Sequence, residues 1–168
     1  MLDITDQIAV LYAPTAAQQN IDTTNYVDRL VAMDDGAGSP IYWYSKCEVA
    51  PTSSGSATLL FQLIGNPSDP TFTTGNVVVL QYPASGTAAV YSTIVVDQIL
   101  TRMVIPRDAT STTSGETSLT PTGNLLRYFA FSVTIGTAAL TGGQFSSWLT
   151  SRPPTSDNLS YKPGYTFP

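Results

Sequence analysis

At 168 residues, the chain is long enough for one domain that buries roughly 70% of its unfolded surface without a disulfide or a structural metal. Charged residues make up 11% of the chain, against a usual share of about 25%, and its two Glu and two Lys are too few for long solvated helices. The formal net charge of -5 repels phosphate groups, so binding to nucleic acid or to an anionic membrane surface is disfavoured.

The composition also removes most catalytic chemistry. The chain contains no histidine, which excludes Ser-His-Asp and Cys-His nucleophile systems and imidazole metal sites. It contains no GxSxG, P-loop, GxGxxG or CxxC motif. We therefore predict a protein that is not an enzyme and that uses no cofactor. No apolar run approaches the length of about 20 residues that spans a bilayer, and no basic N-terminal region marks a signal peptide, so we expect assembly inside a cell.

The first third of the chain leads into the sharpest strand pattern of the sequence. Residues 1–25 show no sustained period and are predicted to form an extended N-terminal arm, although residues 8–12 could form a short edge strand. Residues 26–33 predict a strand, and the Gly- and Pro-containing residues 34–40 predict a turn. Residues 41–49 then alternate strictly, which predicts a strand with one face on a core.

The two faces of that predicted strand differ in polarity. One face carries Ile41, Trp43, Ser45, Cys47 and Val49, and the other carries Tyr42, Tyr44, Lys46 and Glu48. We interpret Cys47 as a small buried hydrophobe, with a reactive or intermolecular thiol as the alternative. Tyr42, Trp43 and Tyr44 are interpreted as packing residues, with a sugar-stacking platform as the alternative.

Further short strands follow along the chain. The alternating or valine-rich runs are residues 57–64, 76–82, 89–96, 97–105, 125–135 and 144–149, separated by Gly-, Pro- or Ser-rich connections such as 50–56, 65–70, 107–123 and 141–143. Seven to nine short strands with turns between them predict an all-β sandwich or barrel, and we assign residues 26–149 to a β-sandwich domain.

The last segment, residues 150–168, differs from the rest because it combines prolines with aromatic side chains. Such a tail loses little entropy when it is laid extended on a surface, and its rings supply contact area. It either folds back over its own sandwich or docks on a neighbouring subunit.

Two adjacent acidic residues, Asp34 and Asp35, stand in the predicted turn. Aspartate is common in turns because its carboxylate accepts hydrogen bonds from nearby backbone amides. We take this as their role and assign no metal site. A structural calcium site and paired-carboxylate catalysis remain the alternatives.

Three segments resemble the small capsid cement proteins of tailed bacteriophages. They are residues 22–28 (DTTNYVD), 34–42 (DDGAGSPIY) and 55–63 (GSATLLFQL). In that family a Ser- or Thr-Asn-Val-Ile-Asp segment precedes an Asp-x-Gly-x-Gly-x-Pro turn, and a Gly-Ala-x-Thr-Leu strand follows. Phe72-Thr73 and Arg127-Tyr128 also stand where the family pattern puts them, so the similarity covers most of residues 20–135.

The resemblance implies a jelly-roll sandwich that forms homotrimers on the outer surface of a phage head and bridges copies of the major capsid protein. It implies a virion protein without direct contact to nucleic acid or membrane. The long Ser/Thr-rich loop and the tail depart from the family, which leaves the role of the C-terminus open. Our candidate residues for the subunit or capsid interface are Leu2, Ile4, Arg152, Leu159, Tyr161, Tyr165 and Phe167. The alternative function is a carbohydrate-binding jelly roll of a phage tail or host-recognition structure, based on Tyr42, Trp43 and Tyr44.

Overall fold

The computed structural model describes residues 5–28, 41–105 and 126–150. These residues form nine strands and one turn of 3-10 helix, Tyr91–Thr93. The strands are β1 (Thr5–Tyr12), β2 (Gln19–Asp28), β3 (Tyr42–Ser53), β4 (Thr58–Asn66), β5 (Val77–Tyr82), β6 (Ala89–Val90), β7 (Ile99–Val104), β8 (Tyr128–Gly136) and β9 (Leu140–Thr150).

The strands build two antiparallel sheets that pack face to face. One sheet, here the β1 sheet, has the order β1-β9-β3-β7, and the other, the β2 sheet, has the order β2-β8-β4-β5 with β6 added beside β4. The pairs β1–β9, β2–β8, β3–β7 and β4–β5 are nested one inside the next along the chain. This nesting is the connectivity of a jelly roll, so the predicted all-β, jelly-roll-like antiparallel sandwich is confirmed.

The core lies between the sheets, where the alternating strands point their apolar side chains. The face of β3 predicted for the core does turn inward, with Trp43 and Cys47 fully buried. Phe61 of β4 contacts Phe145 of β9 edge to face at 5.0 Å between ring centroids, which joins the two sheets. The other large core side chains on β4, β8 and β9 are Leu59, Leu63, Phe129, Phe131, Val133, Ile135, Leu140 and Leu149.

A buried hydrogen-bond chain joins Trp43, Ser147 and the backbone of Tyr44 in this core. The indole N–H of Trp43 donates to the Oγ of Ser147 at 2.8 Å, and the Ser147 hydroxyl donates to the carbonyl oxygen of Tyr44 at 2.9 Å. A buried donor without an acceptor would destabilise the fold by about 1–3 kcal/mol. Ser147 therefore allows a tryptophan to sit at the centre of the sheet.

The antiparallel strands give the sandwich two distinct ends. At the terminal end, β1 begins and β9 ends, with Thr150 paired to both Thr5 and Tyr42. At the opposite end, the hairpin end, the short connections 13–18, 54–57 and 137–139 join successive strands. The 12 residues of β3 make the strand about 40 Å long, so the two ends are well separated.

The expected N-terminal arm over residues 1–25 is corrected for the part that the structure describes. Residues 5–12 are β1, an edge strand paired with β9, and residues 19–25 belong to β2, which pairs with β8. Their alternation is interrupted by register shifts in both pairings, which hid the strands from a periodicity argument.

Several predicted boundaries also change. Residues 50–53, expected in a loop, extend β3, and residues 141–143, expected in a turn, lie inside β9. The expected strand at residues 89–96 is only two residues long and continues as the 3-10 helix. The expected turn at 34–40, the Ser/Thr-rich loop at 107–123 and residues 151–168 of the predicted tail lie outside the described residues.

Candidate interaction surfaces

The predicted interface residues all lie outside the residues that the structure describes: Leu2, Ile4, Arg152, Leu159, Tyr161, Tyr165 and Phe167. Asp34 and Asp35 also lie outside them. The described strands show where the N-terminal and C-terminal segments join the domain. Because β1 begins and β9 ends at the terminal end, both chain termini connect to the sandwich there.

The predicted sugar-stacking alternative does not fit the structure. Trp43 is 0% exposed and points into the core. Tyr44 points out of the β1 sheet, but it is only 1% exposed and its ring stacks on Trp148 with 5.7 Å between centroids. Two of the three rings of the proposed platform are therefore closed to a ligand, and we withdraw the carbohydrate site at Tyr42, Trp43 and Tyr44.

An aromatic cluster covers the outward face of the β2 sheet at the terminal end. The ring of Tyr26 makes edge contacts with Phe72 at 6.2 Å and with Tyr128 at 5.9 Å. Beside it, the Arg127 guanidinium donates to both carboxylate oxygens of Asp28, at 2.7 Å and 2.9 Å, and lies over the ring of Tyr128. The bidentate pair links the residue just before β8 to the end of the edge strand β2.

Asn66 organises the loop that carries Phe72 into this cluster. Its side-chain amide donates to the carbonyl oxygen of Thr74 and to the side chain of Asn76, and its side-chain oxygen accepts the backbone N–H groups of Ser68 and Asp69. The side chain is almost fully buried, with 1% of the residue exposed. Four hydrogen bonds from one side chain therefore fix the loop after β4.

A second set of hydrogen bonds closes the same loop. The carboxylate of Asp69 accepts from the backbone and the hydroxyl of both Thr71 and Thr73, and from the backbone of Thr74. These bonds, those from Thr71 first, hold the pKa of Asp69 well below its ordinary value. Phe72, held between them, adopts a positive φ of 54°, a conformation that a bulky residue adopts only when its surroundings enforce it.

Large hydrophobic side chains are exposed at several places on the sandwich. Among the described residues, the large hydrophobic side chains that are exposed number seven: Leu11, Tyr26, Val49, Val90, Val95, Val96 and Val104. Tyr26 and Val104 lie toward the terminal end, where they pair with Ala130 and Tyr42. Of the other five, Val90 pairs with Thr58 at the hairpin end, and Val95 and Val96 lie beside the middle of β3, where the backbone N–H of Asp97 bonds to the carbonyl oxygen of Cys47.

The turn that carries Val95 and Val96 is rigidly held. The backbone N–H of Gln98 donates to the carbonyl oxygen of Val95, and the Gln98 side chain accepts the N–H of Val95 in return. Asp97 occupies the left-handed region at φ 64°, and its N–H donates to the carbonyl oxygen of Cys47 on β3. The Asp97 carboxylate also binds the Lys46 ammonium at 2.7 Å, which raises the pKa of that lysine.

Burial raises the pKa values of two titratable groups in or beside the core, Cys47 and Tyr12. Burial raises the pKa of the Cys47 thiol to about 11, so this cysteine is the inert hydrophobe that we predicted rather than a reactive thiol. Burial, with the nearby carboxylate of Asp22, raises the pKa of Tyr12 to about 12. Within residues 5–28, 41–105 and 126–150, no group of three or more Cys, Asp or Glu side chains could hold a metal ion, and no helix is long and apolar enough to cross a membrane.

Sequence reasoning did not predict that Val49, Val95 and Val96 are exposed. It placed Val49 on the core face of β3, but β3 and β9 shift register between Cys47 and Val49, and Val49 is 46% exposed. It placed Val95 and Val96 in a strand, although Val-Val followed by Asp is also compatible with a turn. Comparison of the chain with models of protein families and with curated proteins found no match.

Proposed function

We propose that this protein is a capsid cement protein, which binds the outside of a phage head as a homotrimer and bridges copies of the major capsid protein. In this role the protein needs no catalytic group. It needs a stiff domain with separate contact surfaces, and its action is to raise the free energy required to pull neighbouring capsid subunits apart.

One observation carries the proposal beyond the sequence resemblance. Segments that resemble cement proteins, and that stand far apart in the chain, contact one another at the terminal end. Asp28 pairs with Arg127, and Tyr26 packs on Phe72 and Tyr128. A chance likeness between scattered glycine and strand motifs gives no reason for such contacts, whereas a shared structural unit does.

The jelly-roll fold suits a protein that holds neighbouring capsid subunits together. Multiple weak contacts to one lattice act through effective concentration, so that a trimer stays bound although each contact is weak alone. That gain requires the contacts to keep a fixed geometry. The hydrogen-bonded turns at the hairpin end and the loop fixed by Asn66 at the terminal end provide this geometry without help from a partner.

The direct test combines oligomeric state with binding to heads. Size-exclusion chromatography with light scattering should give three times the 17.9 kDa chain mass. The purified protein should cosediment with expanded heads that lack it, and it should bind unexpanded heads less well because expansion creates the seams to be bridged. A strict monomer that also fails to bind expanded heads would overturn the proposal.

The C-terminal segment provides a second test. Deletion of residues 151–168 should weaken trimer formation or head binding more than it lowers the melting temperature of the isolated domain. If the melting temperature falls and assembly is unchanged, the segment is an intramolecular strap, and the interface must lie elsewhere on the sandwich.

A further inference from the structure

The free edge of β5 differs from the other edges of the sandwich. Four strands lie at the edges of the two described sheets, namely β1, β7, β2 and β5, and all four have an irregular register. Charged residues occur in three of them: Asp6 in β1, Asp22 and Asp28 in β2, and Arg102 in β7. The sequence of β5, VVVLQY, contains none. Because charges on an edge strand oppose pairing with another chain, β5 is the least protected edge.

The backbone of β5 is paired on one side only. Its pairing with β4 extends from Val77, opposite Gly65, to Tyr82, opposite Phe61. Among the described residues, no hydrogen bond joins the backbone of β5 to any segment other than β4. The amide and carbonyl groups on the other side therefore form a row of donors and acceptors, which an extended segment can pair with.

The side chains of β5 are also incompletely covered. Val77, Leu80 and Tyr82 pack against the core between the sheets, and Val78 packs against the outward cluster that contains Ile64, yet these four β5 side chains are only partly buried. They lie at the rim of the sandwich because the described sheet ends with β5. A strand added beside β5 would continue the sheet and remove more of this apolar surface from water.

The chain beyond β9 contains a run that suits this edge. Residues 155–162 (TSDNLSYK) are free of proline, and the run is longer than the six residues of β5. Pro154 and Pro163 flank it, and because proline lacks a backbone N–H, they limit a paired strand to this run. Leu159 and Tyr161 are two positions apart, so in a strand they would share one face and could cover the half-buried side chains of β5.

Strand direction favours this run from a neighbouring copy over the same run of the same chain. β5 begins at the terminal end, where Val77 pairs with Gly65, and β9 ends there as well. The same chain would therefore meet β5 in a parallel direction, and parallel pairing is slightly less stable per residue. To enter antiparallel, residues 151–154 would have to span the length of β5, about 20 Å, although they reach only about 13 Å when extended. A neighbouring copy is free of this limit.

We infer that the free edge of β5 accepts residues 155–162 of a neighbouring copy as an added strand, and that this exchange holds the trimer together. The inference rests on the proposed function, from which it takes the trimeric state. Donor and acceptor are different parts of the chain, so the contact is heterologous and can close into a ring of three. Pairing of β5 with β5 would instead give a two-fold dimer. Strand addition derives its affinity from main-chain hydrogen bonds, which an uncharged edge can supply.

The first test places a charge on the β5 edge of the full-length protein. Gln81 is half-buried on β5, and Gln81→Lys gives this strand a charge, as Arg102 does for β7. In sedimentation equilibrium, the variant should dissociate from trimer to monomer at a protein concentration about ten-fold higher or more, and its circular dichroism spectrum should be unchanged. Deletion of residues 151–168 should add little to this defect, because both changes remove the same interaction.

Gln18→Lys is the matched control. It adds the same charge at an exposed position between β1 and β2, on the far side of the β2 sheet from β5. It should dissociate within about two-fold of the concentration found for the unmodified protein. Trimers of Gln81→Lys that are as stable as those of Gln18→Lys would overturn the inference.

Photocrosslinking identifies the segment that covers the edge. The chain has one cysteine, Cys47, which is buried, so Gln81→Cys introduces a single reactive thiol for a benzophenone maleimide, and Gln18→Cys provides the control. In the trimer, the probe at position 81 should join two copies, and mass spectrometry should map the new bond to residues 155–162. A bond to this run within one chain, to another part of a neighbouring copy, or only to the major capsid protein on loaded heads would overturn the inference.

Head binding separates this inference from the proposed function. Trimers that crosslink as expected but fail to bind expanded heads would support the strand exchange and overturn the proposed function. Trimers that bind heads without the expected crosslink would overturn the strand exchange and leave the proposed function standing.

Discussion

Asn66 provides a sharp test of how the terminal end is held together. Asn66→Ala removes four hydrogen bonds of 2.6–3.0 Å at once. Each contributes about 0.5–1.5 kcal/mol net to stability. Ser68 and Thr74 are exposed, so their freed groups can bind water, and we therefore expect a total loss at the lower end, about 2–4 kcal/mol.

That loss converts to a measurable shift. In a domain of this size, 1 kcal/mol corresponds to about 2–4 °C, so the melting temperature of Asn66→Ala should fall by about 5–15 °C. Circular dichroism at far-ultraviolet wavelengths would follow unfolding, and limited proteolysis would test whether residues 67–76 open first. The loop should become the earliest site of cleavage, because Asn66 holds the loop from both sides, through Ser68 and Asp69 on one side and Thr74 and Asn76 on the other.

Ser68→Ala is the matched control for Asn66→Ala. Ser68 contributes its backbone N–H to the described network and is exposed, so its side chain should be replaceable with a change below about 0.5 kcal/mol. If Asn66→Ala melted within 2 °C of the unmodified protein, or no further below it than Ser68→Ala, the role that we assign to the Asn66 side chain would be refuted.

Three further outcomes follow from the described contacts. Cys47 should react with a thiol reagent at pH 8 only when the protein is unfolded in urea, because burial raises its pKa to about 11; rapid reaction in the native protein would contradict its burial. Ser147→Ala should destabilise the protein by about 1–3 kcal/mol in a denaturant titration, because it leaves the Trp43 indole N–H without an acceptor, and a loss no larger than that of Ser45→Ala would argue against this. Because folding lowers its pKa, the Asp69 carboxylate stabilises the folded protein at pH values above its ordinary pKa of about 3.9. This stabilisation is lost as the pH falls through the pKa of the folded state. Asp69→Asn should therefore lower the denaturation midpoint at neutral pH and flatten its decline in acid, and an unchanged acid profile would contradict the assignment.

The strands with regular alternation could be predicted from the sequence. In β8, Phe129, Phe131 and Val133 face the core, while Tyr128 and Ser132 face outward, as the period of two requires. The same rule gave the core face of β4. The prediction is correct for these segments because the alternation of side chains along a pleated strand alone decides which of them face the opposite sheet.

Alternation of apolar and polar residues did not predict the strands in which the backbone departs from a regular pleat. In β1, Leu11 adopts a positive φ of 50°, and in β2 the Asp22 carboxylate accepts the backbone N–H groups of Thr24 and Asn25 within the irregular stretch. Such stretches become strands only through pairing with β8 and β9, more than 100 residues away in sequence. The periodicity of a short stretch of sequence cannot indicate a pairing with such a distant strand.

Two glycines in β9 misled the sequence interpretation for a different reason. Gly142-Gly143 was read as a turn, yet it lies in the strand opposite the end of β3. At Gly143, φ is 131°, and a Cβ would lie 2.9 Å from the Cα of Pro51. Glycine is required there by the close approach of two backbones, which only the folded structure makes visible.

The same departures from regular alternation determine which valines are exposed. A β3 without its bulge would bury Val49, and a continuous strand at residues 89–96 would bury one of Val95 and Val96. The sequence argument correctly located the stiff frame but assigned these valines to it. Their exposure depends on the bulge and on the left-handed residue Asp97, whose conformations depend on tertiary hydrogen bonds.

The direction of the strands links the two ends mechanically. The central strand β3 begins with Tyr42 at the terminal end and passes Val49 before it ends at the hairpin end, and it is paired with β9 on one side and β7 on the other. A force applied between the two ends therefore acts along the strands and loads the interstrand hydrogen bonds of β3 together, rather than opening them one at a time. A bridge between capsid subunits, the function that we propose, would resist separation best when it is loaded in this direction.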